Sequence, residues 1–330
     1  MKLKLLIILA CAMTLFSQNA LAEKLPLDYF FKNAQFAGFQ ISPNGKELAA
    51  RANVDGRMNI VVMDLVDRKP RVVTGMRENN VNGFMWANNE RLLFFMDKDG
   101  SESGGVFAIN TDGSKLRTLV EPVISVIKGG SSKVIQTSIL NTLDEEPEWV
   151  LVSSNERRAA WPDVYKMNIY NGRTKIVERN PGNVTGWAAD WDGEVMGAGY
   201  TDELYQGFMR LVDAKEDEYE EMTRARFDEA SWTPAGFKED TDIGWVQSYL
   251  TPDGQERDKA AIYEFNFDTK EFGKLIYEHD TVDCCGLIMN EKLKDVIGVS
   301  YMVGKPERVW LNERWKNIMA GIGAALPTND

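Results

Sequence analysis

Short stretches of alternating apolar and polar residues come in pairs along this chain, each pair split by a polar turn. The clearest pairs lie at 59–65 then 71–74, 105–110 then 116–120, 163–168 then 175–178, 208–212 then 219–222, and 261–266 then 274–277, while 308–311 opens a sixth. A period of two is what a strand with one buried face requires. The intervening turns are rich in Asp, Asn, Gly, Lys and Thr, as in Asn110-Thr-Asp-Gly113 and Asn171-Gly172, which suits hairpins. Ser42-Pro-Asn-Gly45, Asp190-Trp-Asp-Gly193 and Thr251-Pro-Asp-Gly254 mark further turns upstream of or within the pairs.

The copies recur at roughly 45 to 60 residues, the period of a four-stranded propeller blade and too long for leucine-rich or ankyrin units. A β-sandwich with irregular hairpins is the alternative, but a sandwich does not repeat one strand-pair signature five or six times. The expected fold is all-β: a propeller with about six recognisable blades, incomplete relative to a seven- or eight-bladed array. Helical signal is sparse. Residues 27–32 are expected to form one turn before the first blade. Near the end, Trp315, Ile318, Met319 and Ile322 fall at i, i+3, i+4 and i+7, which predicts a short amphipathic helix over 312–326.

The first residues bear on the compartment. A basic start (Lys2, Lys4), an apolar run from Leu5 to Phe16 and Ala20-Leu-Ala22 have the form of a secretory signal peptide. The apolar run is shorter than the about 20 residues that span a bilayer. Residues 1–22 are therefore expected to be removed after Ala22, leaving 23–330 as one soluble propeller domain in the periplasm or secreted. No later segment is long and apolar enough for a membrane helix. Cys11 leaves with the signal, and the adjacent Cys284 and Cys285 are read as two small buried side chains, because a disulfide between neighbours strains the intervening peptide.

The formal charge of −12 repels phosphate backbones, and no basic stripe offsets it, so nucleic acid is excluded as a partner. The single histidine, His279, limits catalysis. A Ser-His-Asp triad needs that base, yet no Gly-x-Ser-x-Gly elbow accompanies it, and its setting in Ile276-Tyr-Glu-His-Asp280 reads as a turn. No His-x-x-x-His, spaced Cys-x-x-Cys, EF-hand, Gly-x-Gly-x-x-Gly or phosphate loop is present, so neither metal nor nucleotide cofactor is expected. The acidic clusters, Asp144-Glu-Glu146 with Glu148 and Glu216-Asp-Glu218 with Glu220 and Glu221, read as solvated loops, with a cation or a substrate ammonium group as the functional alternative. Trp86, Trp187, Trp191, Trp232 and Trp245 sit near strand starts and read as blade core.

Laid out in blades, the sequence resembles the N-terminal propeller of the prolyl oligopeptidase family, on its dipeptidyl-aminopeptidase and acylaminoacyl-peptidase side. The matching stretches are Leu25-Pro-Leu-Asp-Tyr-Phe-Phe31, Gly38-Phe-Gln-Ile-Ser-Pro-Asn-Gly-Lys46, Asn59-Ile-Val-Val-Met-Asp-Leu65, Trp86-Ala-Asn-Asn-Glu-Arg-Leu-Leu93, Leu151-Val-Ser-Ser154, Leu275-Ile-Tyr-Glu-His279 followed by Asp283, and Ala325-Leu-Pro327. The resemblance implies a propeller that precedes an α/β-hydrolase domain, restricts access to its serine, aspartate and histidine, and favours small peptides. This sequence runs to Asp330, in the sixth blade, before any hydrolase domain, so no catalytic residue carries over. The expected partners are that missing domain or a separate hydrolase chain, and oligopeptides. Dipeptidyl peptidases also hold the substrate amino terminus with a propeller glutamate pair. Glu145-Glu146 and Glu220-Glu221 are the candidate pairs here, although their surroundings depart from that motif. A stand-alone propeller that binds peptides or a protein partner is the other function the sequence allows.

Overall fold

The computed structural model describes residues 25–326, except 99–103, 123, 127–131, 240 and 285. The predicted signal peptide, 1–22, lies outside the described residues. After a single turn, α1 (Leu27–Phe31), six antiparallel sheets follow in chain order. Sheet one is β1 (Phe36–Ile41), β2 (Glu47–Val54), β3 (Arg57–Asp64) and β4 (Pro70–Val72). Sheet two is β5 (Gly83–Trp86), β6 (Arg91–Met96), β7 (Gly105–Asn110) and β8 (Arg117–Val120). A small hairpin, β9 (Ile124–Val126) and β10 (Ser132–Val134), leads into sheet three: β11 (Thr137–Asn141), β12 (Trp149–Ser154), β13 (Asp163–Asn168) and β14 (Thr174–Glu178). Sheet four is β15 (Val184–Ala189), β16 (Val195–Thr201), β17 (Tyr205–Asp213) and β18 (Glu218–Arg226). Sheet five is β19 (Trp232–Phe237), β20 (Ile243–Leu250), β21 (Glu256–Asn266) and β22 (Glu271–Tyr277). Sheet six has three strands, β23 (Gly286–Asn290), β24 (Asp295–Val303) and β25 (Lys305–Trp310), and α2 (Glu313–Ala325) follows it in the chain.

This is the expected β-propeller of six blades with a short C-terminal helix. Each strand pair seen in the sequence is the third and fourth strand of a sheet. The first strands of neighbouring sheets approach one another, β1 with β5, β11 with β15 and β15 with β19, so they form the inner side and the fourth strands the rim. The turn motifs work through local hydrogen bonds. Ser42 Oγ accepts from the Lys46 and Glu47 N–H groups at 3.1 and 2.9 Å. Asp190 Oδ1 accepts from Asp192 and Glu194 at 3.0 and 2.8 Å. Gly193, with φ +84°, closes the second of these, and a Cβ there would lie 2.3 Å from the Leu143 side chain. The positive φ is what favours glycine there, since the Leu143 methyl can move aside.

Adjacent sheets are joined face to face by five apolar seams. Ala49, Ile60 and Val62 of sheet one meet Phe84, Leu92 and Phe94 of sheet two. Leu93 and Ala108 meet Val150, Val152 and Tyr165, and Leu151 and Val164 meet Trp187 and Ala198. Phe208 meets Trp232, Phe237 and Val246, and Trp245 and Ile262 meet Leu287 and Met289. The tryptophans fit this plan: Trp86, Trp187, Trp232 and Trp245 are buried in seams, while half-buried Trp191 donates to Phe237 O at 2.8 Å. Among the described residues no buried apolar cluster spans sheets six and one.

One sequence expectation is corrected. Cys284 is fully buried, as expected, but it is disulfide-bonded rather than a free thiol, its partner lying outside the described residues. In α2, Asn312 caps the first turn by accepting from the Arg314 and Trp315 N–H groups at 3.1 and 3.3 Å. The helix buries none of its residues. No helix among the described residues is long and apolar enough to cross a membrane.

Candidate functional site

Between the inner strands of sheets three and four lies a concavity of about 320 Å³, lined chiefly by Gln136, Ser138, Ser153, Asn155, Thr185 and Trp187. Its rim is the segment 155–162, which links β12 to β13. Asn155 pins one end of that segment. Its Oδ1 accepts from the Gln136 N–H at 2.9 Å, and its Nδ2 donates to Val134 O at 3.1 Å and to Ala159 O at 2.9 Å. Asp163 pins the other end. Its carboxylate takes Arg157 Nε at 2.6 Å and Nη2 at 2.5 Å, the Tyr165 hydroxyl at 3.0 Å and the Asn180 N–H at 2.8 Å. Burial pushes this carboxyl up, but the Arg157 fork, the Asn180 N–H and the Tyr165 hydroxyl outweigh it and hold Asp163 below its ordinary value. Burial and the same carboxylate push Tyr165 up to about 12. The indole of Trp187 closes the floor by donating to Pro162 O at 2.7 Å.

The concavity's exposed side chains are not consumed by the fold. Gln136, Ser138 and Ser153 keep side-chain donors and acceptors without a partner among the described residues, and Thr185 makes one long bond to Gly199 O at 3.3 Å. No lining side chain ionises at ordinary pH. Such a site can hold a ligand by hydrogen bonds and by contact with the indole, but it has no base to activate its hydroxyls.

The sequence-predicted residues lie elsewhere. Glu145 and Glu146 sit in the exposed turn between β11 and β12, and Glu146 pairs with Lys166. Glu220 and Glu221 are on β18, the rim strand of sheet four. There Glu220 pairs with Lys270 at 2.6 Å, and Glu221 accepts from the Tyr200 hydroxyl and pairs with Arg224 at 3.6 Å. None of the four lines the concavity. Gln136, Ser138, Ser153, Asn155 and Thr185 carry no motif that sequence reading could have caught, because their role comes from two sheets meeting. His279 is the turn residue it was expected to be. Its Nδ1 accepts from the Thr281 N–H at 3.1 Å, which places the proton of the neutral ring on Nε2, and the ring lies 4.6 Å from that of Tyr301. No set of three His, Cys, Asp or Glu side chains converges as metal ligands among the described residues.

Fold and site together define a six-bladed β-propeller with a polar, non-ionisable concavity between two of its blades. In sequence, the chain is similar to dipeptidyl aminopeptidase BIII of Pseudoxanthomonas mexicana, at 29% identity over 174 residues, which is 52% of this chain and 24% of that protein. The chain thus spans about a quarter of the length of the curated relative it matches, and the resemblance to the prolyl oligopeptidase family read from the ordered motifs is supported independently. Among solved structures, an oligogalacturonate lyase in complex with manganese matches 86% of this chain and 79% of its own, with a TM-score of 0.50 and 11% identity. That likeness is one of fold. Prolyl oligopeptidase B from Galerina marginata matches 74% of this chain and 35% of its own, with a TM-score of 0.46 and 12% identity. No protein-family model matches the chain.

Proposed function

We propose that this chain is the substrate-gating propeller of a periplasmic serine peptidase of the dipeptidyl-aminopeptidase kind. In this reading the hydrolytic serine, aspartate and histidine belong to an α/β-hydrolase unit, either continuous with this chain or separate from it. The observation that carries it is the 174-residue match to a dipeptidyl aminopeptidase. The lone histidine, engaged by its own turn, supports placing the chemistry elsewhere. Of the four candidate glutamates, Glu145 has no ion-pair partner among the described residues and is the one free to meet a substrate ammonium group. The chain is exported, with cleavage after Ala22, and amino-terminal sequencing of the exported protein should begin at Glu23.

The test combines the purified chain with the hydrolase unit encoded beside it. The chain alone should not turn over a dipeptidyl p-nitroanilide. The hydrolase with the chain should cleave the dipeptidyl substrate and spare a folded or long peptide that the hydrolase alone attacks. Turnover by the chain alone, or identical size selection with and without it, overturns the reading.

The unpartnered amide and hydroxyls of Gln136, Ser138 and Ser153 favour a second reading, a stand-alone propeller that binds uncharged peptide backbone between sheets three and four. Calorimetric titration with oligopeptides tests it, and Ser153→Phe, which fills the concavity, should abolish any heat of binding.

A further inference from the structure

Building on the peptide-binding reading of the concavity, we infer that its ligand is an extended, uncharged internal stretch of peptide, held as an added strand along β11. The main chain of the peptide is then what the site recognises, and both of its ends stay outside. The strand that lines the concavity, β11, ends sheet three and has β12 as its only strand partner. Along an antiparallel ladder, residues alternate between turning N–H and C=O toward the partner and turning both away. The Asn155 N–H donates to Gln136 O at 3.3 Å, a bond that flanks the Thr137–Ser154 pair. The main-chain groups of Thr137 therefore point away from β12, and those of Ile139, two residues on, do the same. No other strand or turn takes up these groups among the described residues. They recur about 7 Å apart, the spacing at which an extended peptide presents its own matching groups. Such an unpaired row is a template for another strand, and a peptide added there is gripped through its backbone.

The other first strands also end their sheets, but the surroundings of β11 set it apart. Gln136 and Ser138 share one face of the strand, Ser138 is paired with Ser153, and all three line the concavity with side-chain groups that the fold leaves unused. The opposite wall is Thr185 and Gly186 of β15, where the register slips against β16. Bulges of this kind are frequent beside binding sites. Nothing stands within 4 Å of the place a Cβ of Gly186 would take, and a glycine inside a strand marks a point where another backbone can come close. The space of about 320 Å³ falls within the range of ligand sites, about 300–1,000 Å³.

The chemistry of the lining decides which part of a peptide fits. No lining side chain ionises at ordinary pH, and Asp163, at the end of the rim segment, is closed on Arg157. A terminal ammonium, a terminal carboxylate or a charged side chain would lose its water here and meet no counter-charge. A peptide group meets partners for both of its halves: C=O and N–H of Thr137 and Ile139, the Gln136 amide, and hydroxyls that donate and accept.

The experiment is calorimetric titration of the full-length chain with acetyl-Ser-Val-Thr-Val-Thr-Ser-amide, with amide hydrogen exchange read in parallel. Backbone pairing tolerates sequence, so one neutral peptide serves. The comparison ligands are the same peptide with free ends and two sets of N-methylated copies, with methyl groups on one edge of the extended strand or on the other. Blocked and free peptides should bind alike, with little dependence on salt. Methyl groups on one edge should weaken binding about 30-fold, the equivalent of roughly 2 kcal/mol, through the loss of two hydrogen bonds. Methyl groups on the other edge should leave binding unchanged. The Thr137 and Ile139 amides should exchange more slowly at saturation. Ser138→Ala removes a hydroxyl that the fold does not use, so it should keep the wild-type far-UV circular dichroism and bind about 5-fold more weakly. Neither heat nor protection with any of the peptides overturns the inference together with the peptide-binding reading beneath it. Binding that needs a free end, that falls equally with methyl groups on either edge, or that leaves exchange at Thr137 and Ile139 unchanged overturns the inference alone.

Discussion

Between sheets four and five, the rings of Phe208, Trp232, Phe237, Phe265 and Phe267 pack edge to face and at tilts, with centroids 4.6 to 6.2 Å apart. On the outward side of sheet one, Leu48, Val61 and Met63 hold corresponding strand positions but are only half-buried and belong to none of the apolar seams. The strand pattern is the same and the difference lies in the neighbour. In a stacked repeat array each unit depends on the next, so stability is close to a sum of unit and seam terms, and the end units differ. A substitution in an inner seam should therefore cost two sheets their contact, whereas one on the end face should cost little.

Phe267 gives the largest expected effect. It is 2% exposed and touches four rings, and Gly244 makes room for it, since a Cβ there would stand 2.8 Å from its ring. Phe267→Ala should lower unfolding stability by about 3–5 kcal/mol, read as a fall in urea midpoint at unchanged slope. Asp163→Asn comes next, at about 2–3 kcal/mol, because it removes the anion that Arg157 and the Asn180 N–H grip while Arg157 can still reach water. The carboxyl titrates lower in the folded chain than its ordinary 3.8. Its contribution is therefore complete above that value and is lost as pH falls through the lower folded value. The difference between wild type and Asp163→Asn should shrink as the medium is acidified below about pH 4. A gap that persists in acid would show that packing, and not charge, makes the clamp.

The inner seams were the legible part of this chain. Third strands such as 105–110 and 163–168 are flanked by seams on both sides, so they carry apolar residues densely enough to read. First strands are short and bulged, as where Ala37 and Gln40 break register against β2, and they left no strand-pair signal. The β9–β10 hairpin went unseen for the same reason. The acidic pairs stood out in sequence because they are charged and adjacent, and three of their four members turn out to hold rim or loop ion pairs. The concavity was invisible because Ser138, Ser153 and Thr185 have no shared spacing, and only the meeting of sheets three and four brings them together. The end faces were equally hidden, since a repeat looks the same whether or not a neighbour covers it.

Glu178 tests whether a seam always gains from what it buries. It is 2% exposed, beside Val164 in the seam between sheets three and four, and accepts from the Tyr219 hydroxyl at 2.7 Å. No cation pairs with it among the described residues. Burial pushes its carboxyl above the ordinary 4.5, and the nearby Asp217 adds to the rise, while burial and Glu178 raise the Tyr219 hydroxyl in turn. The sign is opposite to that of Asp163. The folded chain holds this proton more tightly than the unfolded one, so stability is lost as pH rises from 4.5 through the folded value. Glu178→Gln keeps an acceptor for Tyr219 without the charge. It should stabilise the chain by about 1 kcal/mol at neutral pH and have no such effect in acid. Destabilisation at pH 7 would mean that the charge itself is held favourably.

The smallest effect belongs to the end face. Phe39 is 61% exposed beside the register break in β1, and its ring lies 6.2 Å from that of Phe36, itself half exposed. Water already reaches most of its surface, so truncation removes little buried area and leaves no cavity. Phe39→Ser should change the stability of the chain by no more than about 0.5 kcal/mol, read from the urea midpoint. A large loss of stability would mean that this face of sheet one is covered within the chain.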